Sequence, residues 1–116
     1  MKTKVVFHLD WEKEECLVMA LNNMSNLFKA TSQQETSACV LANGAAVKLF
    51  QRKRAFEYAL NIQTLSQKGV RFLVCHNSLN NLGISQEDLL APCEIVKAGI
   101  VELIRLQAEG YAYVKP

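Results

Sequence analysis

A chain of 116 residues fits one domain, which the sequence predicts over residues 1–116, and half of its residues are hydrophobic. The net charge is +2, and the basic residues are scattered along the chain apart from one cluster at residues 51–54. This distribution argues against a nucleic-acid-binding face. No apolar run approaches the roughly 20 residues that span a bilayer, and the N-terminus lacks the pattern of a signal peptide. The sequence therefore predicts a cytoplasmic protein.

The first part of the chain predicts a strand and a long helix. Residues 4–9 form a β-branched and aromatic run, which predicts the first strand. Asp10 follows as the predicted N-cap of a helix over residues 11–29, because its carboxylate can accept a hydrogen bond from a free helical N–H group. Apolar residues recur at three- and four-residue spacing along this helix, so one of its faces packs on a core.

A second strand is predicted at residues 36–42, and Asn43 and Gly44 end it. An Asn-Gly pair can form a hairpin turn, but the residues after it do not alternate, which favours a loop into a short helix. In chain order the rest predicts a helix over 55–67, a strand over 70–75, a short helix or turn over 77–82, a capped short helix from 85, a strand over 93–96, a helix over 100–108 and a strand over 111–114.

This alternation predicts a single α/β domain with a mostly parallel sheet and helices on both faces. Ligands of open parallel sheets bind at the carboxyl ends of the strands. Strands consecutive in sequence are usually neighbours, so we expect the ends of the first three strands to converge. The candidate site residues at these ends are His8, Asp10, Asn43, Gly44, Cys75, His76 and Asn77.

Cys75 is the candidate catalytic residue. It comes at a strand end, before a predicted short helix that Asn77 or Ser78 could cap, and free N–H groups there stabilise a thiolate. The alternative is that Cys75 is a small buried hydrophobic residue, as Cys16 and Cys39 are predicted to be. Because no Cys-x-x-Cys pair occurs, the sequence predicts four free thiols: Cys16, Cys39, Cys75 and Cys93.

The two histidines lie near the same predicted edge of the sheet. His76 follows Cys75 directly, but successive strand residues point to opposite faces. His8 can reach this edge from the first strand. Either histidine could assist proton transfer at Cys75, and a structural role is the alternative for both.

The remaining polar residues have ordinary structural explanations. Asp10 is typical of a helix cap, and Asn43 with Gly44 is typical of a turn, or of an N–H cradle facing the same cleft. Metal-ligand spacing, a Walker loop and a Gly-x-Gly-x-x-Gly pattern are all missing from the sequence. The sequence therefore predicts neither a metal nor a cofactor.

Three stretches carry a family resemblance: ANGAAV at residues 42–47, FLVCHNSL at 72–79, and the ending AGIVEL with QAEGYAYVKP between 98 and 116. Through them the chain resembles the DsrE/DsrF-like family, in the branch of small YchN-like proteins. The resemblance implies a three-layer, flavodoxin-like α/β/α fold with a five-stranded parallel sheet, and a homo-oligomer, either trimer or hexamer. In sulfur-relay members a cysteine at the end of the third strand carries a persulfide. That role maps onto Cys75, with the Asn43-Gly44 loop nearby.

Three hypotheses for the function follow. The first is a sulfur carrier that holds a persulfide on Cys75 and passes it to an acceptor thiol, with a sulfur donor or acceptor protein as its partner. Whether such a carrier is an enzyme, as a sulfurtransferase, stays open. The second is a regulatory or small-ligand-binding oligomer in which Cys75 is incidental. The third is a redox sensor in which Cys75 is sulfenylated. None of them requires a nucleic acid or a membrane as partner.

Overall fold

Across residues 2–116, which the computed structural model describes, five strands form one parallel sheet. Their order is β4-β3-β2-β1-β5, which the sequence does not specify. In chain order they are β1 Thr3–Leu9, β2 Thr36–Ala42, β3 Arg71–Cys75, β4 Cys93–Val96 and β5 Ala112–Val114. The predicted strands are confirmed, to within one residue at each end.

Four α-helices connect these strands within the described residues. They are α1 Glu14–Ala30, α2 Ala59–Gln67, α3 His76–Leu82 and α4 Gly99–Ala108. Four single-turn or short 3₁₀ segments occur in the loops, at Gln33–Glu35, Gly44–Phe50, Phe56–Tyr58 and Gln86–Asp88. No helix in residues 2–116 is long and apolar enough to cross a membrane.

The sheet is covered on both faces, which confirms the predicted three-layer fold. On one face α1, α2 and α3 bury the larger core, to which the three helices contribute Leu17, Leu21, Ile62, Leu65 and Leu79. On the other face α4 packs Leu103 and Leu106 on Val6, Leu41 and Leu73. Because β4 and β5 lie at opposite edges of the sheet, the connection between them carries α4 across this second face.

Two predicted helix starts are wrong. α1 begins at Glu14, so Asp10 is four residues too early to cap it, and Asp10 instead forms an ion pair with Lys115 at 2.5 Å. The helix predicted over 55–67 opens with a 3₁₀ turn and becomes α-helical at Ala59.

Candidate functional site

The carboxyl ends of β1, β2 and β3 bring His8, Asn43 and Cys75 to one edge of the sheet. β2 lies between β1 and β3, so Asn43 directly after β2 lies between the other two. In the register of the sheet, His8 on β1 lies beside Leu41 on β2, and Leu41 lies beside Leu73 on β3. Both leucines belong to the core beneath α4. By strand alternation His8, Asn43 and Cys75 therefore share the face that α4 covers. We call these three residues, with Gly99, the carboxyl-edge site.

Cys75 occupies the N-cap position of α3 and is 5% exposed. The backbone N–H of Gly99, the first residue of α4, donates a hydrogen bond to its Sγ atom at 3.3 Å. The predicted capping of α3 by Asn77 or Ser78 is therefore wrong, because the cysteine itself takes that position. Its side chain makes no capping hydrogen bond to α3, and its sulfur instead accepts from the start of α4.

Hydrogen bonds hold the pKa of Cys75 below its ordinary value. Burial acts to raise the pKa, but donation from the Ser78 hydroxyl and from the N–H groups of Ser78, Gly99 and Asn77 outweighs burial. At Cys39 and Cys93 burial is not offset in this way, and it raises the pKa of each thiol to about 12. Since the thiolate is the nucleophilic form, the fold favours reactivity at Cys75 over these two cysteines.

Gly99 has a role that requires a residue without a side chain. A Cβ atom at this position would lie 3.0 Å from Cβ of Asn43, 3.3 Å from Cδ2 of Leu41 and 3.4 Å from Cβ of Cys75. This close approach lets the first N–H group of α4 reach the sulfur. The start of α4 is thereby held between the ends of β2 and β3.

Ser78 links the cysteine to the loop after β2. Its Oγ accepts a hydrogen bond from the N–H group of Gly44 at 2.8 Å, and its hydroxyl acts to lower the pKa of Cys75. Gly44 has a φ of +57°, and a Cβ there would lie 3.0 Å from the carbonyl oxygen of Asp10. The loop conformation that orients Ser78 therefore favours glycine at position 44.

His8 is buried and hydrogen-bonded at both ring nitrogens. Its Nε2 lies 2.8 Å from Oδ1 of Asn43, and its Nδ1 lies 2.5 Å from the hydroxyl of Tyr113 on β5. Because an amide oxygen can only accept, Nε2 carries a proton, and in the neutral ring the Tyr113 hydroxyl donates to Nδ1. A hydrogen-bonded row thus runs from β5 through β1 to the end of β2.

The other predicted residues lie around this site without joining it. His76 is exposed and lines a separate cavity of about 120 Å³ with Ile84 and Ile95, on the opposite face of the sheet from α4. Asn77 lines a groove of about 350 Å³, which we call the α4 groove; its residues are Asn77, Lys97, Ala98, Val101 and Glu102. Within residues 2–116, no three His, Cys, Asp or Glu side chains cluster as a metal site would require.

Gly99 and Tyr113 were not among the predicted site residues. The strand-end rule applied to β4 could have identified Gly99, since it begins the helix that follows that strand. For Tyr113 the sequence offers no comparable signal, because its approach to His8 depends on β5 pairing with β1.

Comparison with known proteins defines the class of this small α/β protein with a thiol at a strand end. The profile of the DsrE/DsrF-like family matches residues 14–116, and the chain belongs to this family, which is associated with sulfur relay. A comparison with curated protein sequences gave no significant match.

Solved structures with the same fold include three proteins of similar length. A protein of unknown function from Methanobacterium thermoautotrophicum, MTH1491, is 31% identical, with a TM-score of 0.89 over 99% of this chain and 100% of its own. The ychN protein from E. coli is 17% identical, with a TM-score of 0.79 over all of both chains, and shares the fold. BT1422 from Bacteroides thetaiotaomicron is 16% identical, with a TM-score of 0.64 over 97% of this chain and 94% of its own.

Proposed function

We propose that this protein is a sulfur carrier that holds a sulfane sulfur on Cys75 as a persulfide. The observation that carries the proposal is the hydrogen bond to the thiol from Gly99 at the start of α4, together with the lowered pKa of Cys75, to which Ser78 and Asn77 in α3 contribute. These donors stabilise negative charge on the sulfur. A sulfur carrier needs such a thiolate both as the nucleophile that takes sulfur and as the leaving group that releases it.

The transfer we propose requires no outside oxidant. In loading, the Cys75 thiolate attacks the outer sulfur of a donor persulfide; the donor's S–S bond breaks, and the donor leaves as a thiolate. In unloading, an acceptor thiolate attacks the outer sulfur on Cys75, and the Cys75 thiolate leaves. Each step forms one S–S bond and breaks one, and the outer sulfur keeps its proton. A lowered pKa of Cys75 makes it the better leaving group in the second step.

We propose that partners reach Cys75 through the α4 groove. Cys75 itself is only 5% exposed. Asn77, two residues after Cys75, and Ala98, directly before Gly99, both line the groove. A volume of about 350 Å³ accommodates a donor or acceptor cysteine presented on a protein loop. Entry through a groove of this kind would restrict exchange with other thiols, which suits a carrier in the reducing cytoplasm.

We further propose that the protein is a homo-oligomer that uses the outer face of α4. Ile100 and Ile104 are each more than 60% exposed on this helix, and neither is among the lining residues of the α4 groove. Contiguous exposed apolar residues mark protein interaction sites. In the trimer or hexamer that we expect from the family resemblance, a second copy of the chain would cover this face of α4.

Sulfur transfer to a second thiol protein tests the proposed function. Wild-type protein is loaded with inorganic polysulfide, freed of excess donor and mixed with a protein that has a single accessible thiol. We expect labile sulfur to pass from Cys75 to that thiol, and we expect Cys93→Ser to transfer as well as wild type. Sulfur that loads on Cys75 but never leaves would refute a carrier role. A small anion or metabolite that binds the carboxyl-edge site while Cys75 stays inert would favour the ligand-binding hypothesis.

A further inference from the structure

His8 is the one buried polar or charged side chain among residues 2–116, at 8% exposed. Burying an imidazole is unfavourable unless its nitrogens are hydrogen-bonded, and here both are. The partner on one side is Tyr113, which is 42% exposed on the edge strand. The partner on the other side is Asn43, beside the thiol. The ring therefore connects the protein surface to the side chain that adjoins Cys75.

The hydrogen bond from His8 determines which end of the Asn43 amide remains available for another hydrogen bond. Oδ1 accepts from Nε2 at 2.8 Å, so the amide N–H₂ group points away from this bond. No buried side-chain nitrogen or oxygen in the described part of the chain lacks a hydrogen-bond partner, so an N–H₂ group without a protein acceptor at this partly exposed residue has access to solvent. The Cβ atoms of Asn43 and Cys75 both pack against Gly99, so the unused donor belongs to the side chain next to the sulfur.

Between loading and unloading the outer sulfur of the proposed persulfide can ionise, and a donor of this kind would stabilise the resulting anion. The outer sulfur of a persulfide extends about 2.05 Å beyond Sγ, so it lies outside the group of N–H donors that hold Sγ itself. Its deprotonated form carries negative charge, and a hydrogen bond to an ionised acceptor is roughly twice as strong as a neutral one. The N–H group of Gly99 already donates to the inner sulfur.

We propose that Asn43 donates its side-chain N–H₂ group to the outer sulfur of a persulfide on Cys75, and that His8 is the positioning residue that turns the amide this way. This inference rests on the proposed function, since it concerns the loaded form of Cys75. Tyr113 completes the arrangement by holding Nδ1 of His8, which leaves Nε2 for the amide oxygen. The site thus stabilises the persulfide form of Cys75 as well as its thiolate.

The test uses four variants loaded with inorganic polysulfide, from which the Cys75 thiolate takes one sulfur while the shortened polysulfide dianion leaves. Asn43→Ala removes the proposed donor and keeps the Cβ atom against Gly99. His8→Leu removes the positioning bond, and His8→Gln keeps an N–H donor near the place of Nε2. His76→Gln is the control on the other face of the sheet. The readouts are the near-ultraviolet absorbance of the ionised persulfide against pH and the alkylation rate of unloaded Cys75.

We expect Asn43→Ala and His8→Leu to move the ionisation of the persulfide to higher pH, by at least about one pH unit for Asn43→Ala. His8→Gln should restore most of the wild-type midpoint, and His76→Gln should match wild type. Alkylation of unloaded Cys75 should change less than about twofold in His76→Gln, because His76 lines a separate cavity on the other face of the sheet. A merely structural role for His8 would lower stability in both His8 variants without this pattern.

The failures of the two proposals are distinguishable. If wild-type Cys75 takes up no labile sulfur, the proposed function fails. If it loads and Asn43→Ala ionises as wild type does, this inference is overturned while the carrier role stands. A shift in Asn43→Ala without one in His8→Leu would overturn the positioning role of His8. Should His8→Leu not fold, His8→Gln and Asn43→Ala decide the question, since Asn43 is partly exposed.

Discussion

The N–H group of Gly99 donates to the sulfur of Cys75 at 3.3 Å, although the two residues begin different helices on opposite faces of the sheet. α3 follows β3 directly on the face of the larger core, whereas α4 crosses the other face on its way from β4 to β5. The thiol lies where the starts of both helices meet. This convergence explains why a nearly buried cysteine has a lowered pKa.

Replacing Gly99 by alanine tests this convergence. The added Cβ would lie 3.0 Å from Cβ of Asn43 and 3.4 Å from Cβ of Cys75, so α4 must move away from the sulfur. We expect Gly99→Ala to lose about 1–3 kcal/mol of stability in urea unfolding and to slow alkylation of Cys75 at pH 7. Gly69→Ala is the matched control. A Cβ there meets nothing within 4 Å but φ is +99°, so stability should fall with the thiol unchanged. Equal alkylation rates in both variants would argue against the Gly99 bond.

Replacing Ser78 by alanine tests the pH dependence of the thiol. The Ser78 hydroxyl lowers the pKa of Cys75, so its loss should raise that pKa and move the alkylation profile to higher pH. Since the thiolate forms as pH rises through the pKa, the variant should react more slowly than wild type at pH 7 and similarly at high pH. Iodoacetamide labelling with peptide mapping measures this.

Ser85→Ala is the control for that experiment, because the Ser85 hydroxyl bonds within its own turn to Glu87. Coincident profiles for Ser78→Ala and wild type would contradict the assigned role of Ser78. Cys39 and Cys93, whose pKa burial raises to about 12, should stay unlabelled in the folded protein at pH 7. Labelling of either one ahead of Cys75 would overturn the proposed order of reactivity.

Replacing Ile104 by glutamate tests the proposed assembly through α4. Ile104 is 62% exposed, so a charge there should cost the monomer little stability while opposing burial in an apolar interface. Light scattering on eluting protein should give a trimer or hexamer for wild type and smaller species for Ile104→Glu. Leu60→Glu, at a position 75% exposed on α2 across the sheet, should leave the assembly intact. A wild-type monomer at micromolar concentration would refute the proposal.

The fold was largely predictable because local patterns determine its elements. β-branched and apolar runs located all the strands, and the β–α alternation implied a parallel sheet. Asp10 was misassigned as a helix cap because a local rule cannot anticipate a partner 105 residues away, Lys115. The strand-end rule brought together His8, Asn43 and Cys75 before the strand order was known.

The remaining parts of the site depend on long-range contacts. Tyr113 reaches His8 because β5 pairs with β1, and Gly99 reaches Cys75 because α4 crosses the sheet. Both facts follow from a strand order that the sequence pattern does not specify. The contribution of His76 stays a prediction, but its side chain lines a cavity on the other face.

The central claim is that Cys75 holds labile sulfur, and intact mass spectrometry of the native protein after exposure to polysulfide tests it most directly. We predict an added sulfur on wild type that maps to the peptide containing Cys75 and is removed by reduction. Cys75→Ser, with a nearly isosteric side chain, should keep the fold and take up none. Equal uptake of labile sulfur by wild type and Cys75→Ser would contradict the claim.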